Sequence, residues 1–412
     1  MQWFGEPGPA KMVDRHNRTT APLYKFGVML ISGMNWFTAV DAHNGQVLWE
    51  KSIPNSVRPT ASKSSGNMTL AGNNIYLVSG NKCLALNTRT GKQVHQYSLP
   101  EGSGDWCYVA NHKGLLYGSD CPAGATRWEM TPKSWEIGYS GNKGNICSRS
   151  LFAYDLQTHK KKATYKPKKG VIVTQTICVN EGVMTFVENV SEDMLEKYKK
   201  TNGHLTLDSL IDSKGYLVGI DAITFMELWR TPLKLKMKTS FYSMAAEGKT
   251  VVYGTFFDTT KRDPFKTTGH DKHNRVVRYD EKTIINCAIY CFDNKTGKPV
   301  WERTIKPFEQ VYNGGHGELT QHGCIIGNEM YLDHVALNLA TGKNRPGWEW
   351  HRGGHGCGTF SASATHLFYR QGSHAMSSIK SPKTDQITNG TRPGCWIGMI
   401  PVGGLLLGPE TS

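Results

Sequence analysis

At 412 residues, with 44 glycines, 18 prolines, 11 tryptophans, 17 tyrosines and 20% charged residues, the chain has a folded, turn-rich, aromatic composition, not a disordered one. No apolar stretch is long enough to cross a bilayer, which argues against a transmembrane helix. The net charge of +14 would favour acidic partners such as polysaccharide, nucleic acid or an anionic surface, although solubility alone is the simpler account.

The amino terminus, Met1-Gln2-Trp3-Phe4-Gly5, carries neither a basic leader nor a long apolar run, so no signal peptide is expected. The carboxyl end, Pro409-Glu410-Thr411-Ser412, stops abruptly, and both ends read as cut from something longer. The first clear hairpin is VDAHNGQVLWE, from Val40 to Glu50. It recurs as LNTRTG at Leu86, YDLQTH at Tyr154, IDAITF at Ile220, FDNKTG at Phe292 and LNLATG at Leu337. Asp41, Asn87, Asp155, Asp221, Asp293 and Asn338 share one slot, where a side-chain oxygen accepts a backbone N–H two residues on and closes an Asx turn. A bulky apolar residue precedes each, and a small one precedes that: Ala39, Ala85, Ala153, Gly219, Cys291 and Ala336. Gly45, Gly91, Gly297 and Gly342 supply the positive φ of the return strand. His159 and Phe225 stand there in the third and fourth copies, which are degenerate.

The second unit reads as four short strands over 68–71, 75–78, 82–86 and 93–97, divided by turn residues. Four antiparallel strands per repeat is the blade of a β-propeller, and single blades must pack around an axis to bury both faces. The slot residues Asp41, Asn87, Asp155, Asp221, Asp293 and Asn338 are spaced 46, 68, 66, 72 and 45 apart. The long spacings predict surface insertions near 128–148, 188–214 and 258–283, with a short helix in Ser191 to Lys200. The lysine run from Lys160 to Lys169 reads as a solvated strand edge and connector. Residues 359–363 and 366–370 suit the inner strands of a seventh blade, and 395–401 and 404–408 those of an eighth. Gln2-Trp3 resembles Leu48-Trp49, so an amino-terminal strand is expected to complete the last blade. The expectation is a single all-β domain over 1–412: a propeller of eight blades, with seven as the alternative, and monomeric.

The ten cysteines form no CxxC or paired zinc-knuckle pattern, which argues against an attached c-type haem. Cys287 and Cys291 suit core filling, and the pattern does not fix the redox compartment. Propeller ligands are expected at the channel mouth. Two Gly-His stretches lead to inner strands, Asn313 to Glu318 and Gly353 to Gly358, where glycines admit close backbone approach. His316 and His355 are candidate metal ligands or acid–base groups, with Cys357 as a further metal candidate; such a set suits zinc, copper or iron. The competing account is that these glycines let strands crowd the axis and the histidines bond loop backbone. Cys357 and Cys395 suit a disulfide, a shared metal or, most simply, packing. Arg392 is a candidate for carboxylate or phosphate, and Trp396 for stacking a sugar or cofactor ring. Arg58 and Trp106 occupy comparable positions in the second and third blades, and an Arg/Asp/Trp-lined mouth would suit carbohydrate. No phosphate loop, GxSxG elbow, HExxH or nucleic-acid motif is present.

The slot-turn-Gly-x-x-x-Trp pattern of VDAHNGQVLWE and CFDNKTGKPVWE resembles the pyrroloquinoline quinone (PQQ) repeat of the quinoprotein alcohol dehydrogenase-like superfamily. There a tryptophan of the outer strand packs between blades; Trp49, Trp229 and Trp301 match, whereas His95, Ala163 and Pro346 depart, with Trp348 close to the last. QWFGEPGPAKMVDRHNR, RGGHGCGTFSASATHLFYR and TRPGCWIGMIPVGGLLLGPETS look like PQQ-binding-like propellers of planctomycete-type bacteria. That resemblance implies a periplasmic or other extracytoplasmic envelope protein. Quinoprotein dehydrogenases hold PQQ against a disulfide of adjacent cysteines beside Ca²⁺; this chain has no Cys-Cys pair and no evident acidic calcium cluster. The favoured reading is therefore a scaffold that binds a protein or other ligand. The alternative is a quinone- or metal-dependent oxidoreductase acting at the channel mouth.

Overall fold

The computed structural model describes residues 20–58, 66–101, 103–126, 145–206, 210, 215–234, 240–263, 267–270, 276–279, 282–310, 322–332, 335–348, 350, 359–391, 393 and 399–408. The protein is an all-β propeller of small antiparallel blades. Blade 1 comprises β1 (Leu23–Lys25), β2 (Val28–Ser32), β3 (Trp36–Asp41) and β4 (Val47–Ser52). Blade 2 comprises β5 (Met68–Ala71), β6 (Asn74–Ser79), β7 (Lys82–Asn87) and β8 (Gln93–Ser98). Blade 3 uses β9 (Asp105–His112), β10 (Leu115–Cys121), β12 (Ser150–Asp155) and β13 (Lys161–Tyr165), with β11 (Asn145–Ser148) running just ahead of β12. Blade 4 has β14 (Val171–Asn180), β15 (Val183–Asn189), β17 (Gly215–Asp221) and β18 (Glu227–Pro232). Between β15 and β17 lie helix α1 (Glu192–Lys200) and β16 (His204–Leu205); β16 and β11 extend this sheet beyond β14.

Blade 5 has β19 (Ser240–Ala246), β20 (Lys249–Asp263), β23 (Lys282–Asp293) and β24 (Pro299–Gln310), with a hairpin of β21 (Thr267–His270) and β22 (Val276–Tyr279) between its two middle strands. Blade 6 has β25 (Cys324–Ile326), β26 (Glu329–Leu332) and β27 (Val335–Asn338), and a single bridge from Leu337 to Asn344 marks its fourth strand, which Pro346 ends. Blade 7 has β28 (Ser361–Ala362), β29 (His366–Gln371), β30 (Ser373–Ser378) and β31 (Thr384–Gln386). The last sheet is the hairpin of β32 (Ile400–Val402) and β33 (Leu405–Leu407). Among the described residues there are thus seven blades of three or four strands, the alternative count, where eight were favoured. The expected eighth is represented by two short strands; Gln2-Trp3, expected to supply its outer strand, lies outside the described residues.

The repeat slot caps its turn in every copy, accepting the N–H two residues on at Asp41, Asn87, Asp155 and Asp221 and only the N–H three residues on at Asp293 and Asn338. Asp221 Oδ1 accepts the backbone N–H of Ile223 at 3.0 Å and of Thr224 at 2.7 Å, and the Thr224 hydroxyl at 2.8 Å. Asn87, Asp155, Asp293 and Asn338 repeat the bond to a threonine three residues on, and Asp41 caps the backbone of His43. The small residue two before the slot has a separate task. It lies directly across the ladder from the tryptophan position: Ala39 faces Trp49, Gly219 faces Trp229 and Cys291 faces Trp301. Each ring then crosses to the next turn. A Cβ on Gly91 would stand 2.7 Å from Trp49, one on Gly297 2.3 Å from Trp229, and one on Gly342 2.6 Å from Trp301. The indole N–H groups donate to the backbone carbonyls of Thr88, Asn294 and Leu339.

The degenerate copies invert this arrangement. Where His95 replaces tryptophan, His159 replaces the glycine it would cover, and the two rings stack at 3.9 Å, inclined by 15°. Where Ala163 replaces tryptophan, Phe225 fills the space from the other side and stacks on Tyr117 at 6.1 Å. His159 and Phe225 hold φ of 59° and 61°, the left-handed conformation glycine takes elsewhere. Large-on-small has become medium-on-medium at one joint and small-on-large at the next.

Candidate functional site

The described residues bring one polar cluster together deep in the molecule, between blades 3 and 4. Arg58, in the segment after β4, is 1% exposed; its Nη2 donates to the Trp106 carbonyl at 2.6 Å, and among the described residues Nη1 finds no hydrogen-bond partner. Arg58 and Trp106, two of the residues singled out in the sequence, therefore meet. Trp106 itself is fully buried: its ring lies edge-on to Phe152 at 4.7 Å and its Nε1 donates to the Tyr108 carbonyl at 2.7 Å. Gly118 makes room for it, since a Cβ there would stand 2.6 Å from the indole. A buried ring so enclosed is a packing element, not a stacking platform.

Next to Arg58 lie two thiols. Cys107 on β9 and Cys121 at the end of β10 are buried with Ala125 and Ile146. Cys121 pairs across the ladder with Asp105, and Cys107 stands two residues along from Asp105, on the same face. The buried Asp105 carboxylate accepts the Gly124 N–H at 2.9 Å and the Thr126 hydroxyl at 3.4 Å, pinning the turn that follows Cys121. A run of buried hydroxyls leads to the first thiol. Tyr108 N–H donates to Ser119 Oγ at 3.0 Å, Ser119 meets Ser148 at 2.8 Å, Ser148 meets Thr174 at 2.7 Å, and Thr174 Oγ1 lies 3.9 Å from Cys107 Sγ. The hydrogen bond with Cys121, with help from the Arg58 charge, holds the Cys107 thiol below its ordinary pKa in spite of burial. The same hydrogen bond, together with burial, drives Cys121 the other way. Cys147 on β11 sits close by and is pushed up by burial alone in the main, the ordinary behaviour of a packed thiol.

Strand β11 is what joins the two blades here. It pairs with β14 through Cys147–Val173 and Ser148–Ile172, and with β16 through Asn145–Leu205 and Ile146–His204. The α1 insertion then covers the cluster: Met194 and Tyr198 pack on Cys147, and His204 Nε2 meets the Ala125 carbonyl at 3.1 Å. Cys107, Cys121, Ser148 and Thr174 have no spacing motif; they converge only through the ladder and through β11, so the sequence offered no signal beyond Cys107 following Trp106.

His316, His355, Cys357, Arg392 and Trp396 lie outside the described residues. Among the described residues no group of three His, Cys, Asp or Glu is arranged to hold a metal ion, and no helix is long and apolar enough to cross a membrane. His322 is described: its ring lies 4.0 Å from that of Tyr242, and burial holds its imidazole down at about 4. An open cleft of about 370 Å³ on blade 7 is lined by amides and hydroxyls, Gln371, Ser373, Gln386, Asn389 and Thr391 among them, without a charge or an aromatic ring.

Residues 16–104 match the family described as outer membrane protein assembly factor BamB. Comparison with curated proteins finds no match. Among solved structures, BamB from Moraxella catarrhalis is 11% identical, covering 86% of this chain and 82% of its own, at a TM-score of 0.46. Quinohemoprotein alcohol dehydrogenase from Comamonas testosteroni is 14% identical, covering 92% and 78%, at 0.38. The corresponding enzyme ADHIIG from Pseudomonas putida HK5 is 11% identical, covering 85% and 69%, at 0.39. By its repeats and its blades the chain is a β-propeller, and residues 16–104, which span its first two blades, are similar to the BamB family.

Proposed function

We propose that this propeller is a binding scaffold of the bacterial envelope and that its ligand is another polypeptide. The observation that carries the reading is a set of apolar side chains left in solvent on the outer hairpins. Ile223, Met226 and Leu228 are 45%, 65% and 48% exposed on a single hairpin of blade 4. Val94, Leu228 and Val300 each precede the inter-blade packing position, occupied by His95, Trp229 and Trp301, so alternation along the strand turns them outward. Outer strands also offer open hydrogen-bonding edges, and an extended chain laid along β18 would gain main-chain bonds and an apolar row together. A similarity to the BamB family, whose description is of an assembly factor, agrees with this reading.

The test is a photo-reactive residue at position 226, with a control at Lys162 on β13. Cross-linking to an envelope protein at 226, lost with Ile223→Asp and Leu228→Asp together, is expected. Equal labelling at both positions would refute the reading. The competing oxidoreductase reading takes His316, His355 and Cys357 as candidates for a metal, and His316, His355, Arg392, Trp396, Arg58 and Trp106 as candidates for a quinone or other ligand. It predicts dye reduction on adding PQQ and Ca²⁺ and its loss in His316→Ala.

The same proposal includes the closure of the ring. Hairpin β32–β33 packs on blade 1 through Leu407, Ile400 and Val402 against Tyr24, Met29, Ile31 and Val40, and Gly408 abuts His374 of blade 7. It thus occupies the place of the inner half of an eighth blade, for which residues 2–19 would supply an outer strand.

A further inference from the structure

We propose that Cys107 and Cys121 form a peroxide-reactive dithiol, in which the Cys107 sulfur attacks and Cys121 closes a disulfide across β9 and β10. Three observations converge on it. The two side chains are buried together in one small cluster with Ala125 and Ile146, at the end of β10 where the 122–126 turn begins. Arg58 is a fully buried cation that forms no ion pair with a carboxylate among the described residues; one guanidinium nitrogen is spent on the carbonyl of Trp106, the residue that precedes Cys107, and its charge helps to hold the Cys107 thiol down. A buried charge needs a counter-charge, and a thiolate at Cys107, next in the chain to the carbonyl that Arg58 holds, would supply one. The third is the run Ser119–Ser148–Thr174, which ends on that sulfur and can turn its last O–H toward it once the thiol has ionised.

The chemistry balances with hydrogen peroxide, or an equally small hydroperoxide, as oxidant. The Cys107 thiolate attacks one peroxide oxygen; the S–O bond forms, the O–O bond breaks, and the departing hydroxide takes up a proton to leave as water. Cys121 then gives up its proton and its sulfur attacks the sulfenic sulfur; the S–S bond forms, the S–O bond breaks, and the departing hydroxide leaves with that proton as a second water. Two thiols lose two electrons and one peroxide gains them. Burial selects a small oxidant over a protein disulfide. Cys83 and Cys287 are pushed up by burial, and so is Cys291, where the Lys249 charge is opposed by that of Asp293; all three stay inert.

The experiment uses the reduced full chain with no substitution. It is treated with hydrogen peroxide at pH 7, alkylated in denaturant, and mapped by mass spectrometry without reduction. A Cys107–Cys121 linkage with the other thiols alkylated is expected. Cys121→Ser should stop at a sulfenic acid on Cys107 that dimedone traps. Arg58→Gln should slow the reaction at least ten-fold, with Arg58→Lys recovering part of the rate. No linkage in the folded protein, a linkage from Cys107 to Cys147 instead, or linkage only when the chain is unfolded would each overturn the proposal. The mapping of the unsubstituted chain decides it even if an Arg58 variant fails to fold.

Discussion

His159 shows what one residue does in a repeat. It sits in a turn whose other copies hold glycine, at φ 59°, a conformation that costs a side chain about 1–3 kcal/mol. The strain is offset by the stack on His95 and by a 2.7 Å hydrogen bond between its Nδ1 and the Tyr97 hydroxyl. His159→Gly should therefore destabilise the protein although it relaxes the turn, and so should His95→Trp, whose larger ring meets His159. The two together recreate the tryptophan-on-glycine joint seen at Trp49 and Gly91, and the double variant should recover at least about 1 kcal/mol relative to the sum of the singles in a denaturant cycle. The joint also carries a pH signature. Burial, and then the neighbouring His159, hold His95 below its ordinary range, with Tyr97, Tyr154 and Asp155 the other titratable groups around it. The unfolded chain then binds more protons than the folded one just below the unfolded value of about 6.5, so stability is present above that pH and is lost as the pH falls. The melting temperature should drop between pH 7 and 5, and by less in the double variant.

At the scale of the element, the turn slot closes each repeat hairpin. The bonds that Thr224 and Ile223 give to Asp221 hold its carboxyl below the usual range, and Thr296 together with Lys249 does the same for Asp293. Here the sign is that of a depressed carboxylate: the stabilisation is present above the unfolded value of about 3.9 and is lost as the pH falls through the lower folded value. Asp221→Ala should cost about 1 kcal/mol in chemical denaturation at pH 7, whereas Asp221→Asn, which keeps the accepting oxygen, should cost less. This element was legible because its cause is local. Four strands of blade 2 were placed to within a residue or so, since their boundaries are turn residues and their faces alternate. The His95–His159 and Ala163–Phe225 joints were not legible: each substitution looked like decay of the repeat until its partner one blade away was in view. The thiol cluster was hidden for a related reason. Cys107 and Cys121 are brought together by a bulged ladder, and Ser148 by β11, an added strand whose register no repeat dictates.

For the whole molecule, the issue is how a ring of similar blades holds its first and last members together. Blades 2 to 5 are joined on both sides at a turn, through Trp49–Gly91, His95–His159, Ala163–Phe225, Trp229–Gly297 and Trp301–Gly342. Blade 1 has that grip on one side only, Trp49 on Gly91, and on the other it meets hairpin β32–β33. Leu407 is 7% exposed there, against Val40 and Ala42 of the first blade. Truncating such a leucine costs about 2–5 kcal/mol, and in a repeat array the loss is felt first by the nearest neighbours. Leu407→Ala should therefore do more than lower the overall midpoint. Hydrogen exchange should speed up in β2 and β3 before it does in β15 or β17, whose blade is buttressed on both sides. Uniform acceleration across all blades would mean that the hairpin contributes bulk stability but does not fasten the ring. A change confined to β32 and β33 would mean that blade 1 stands without it.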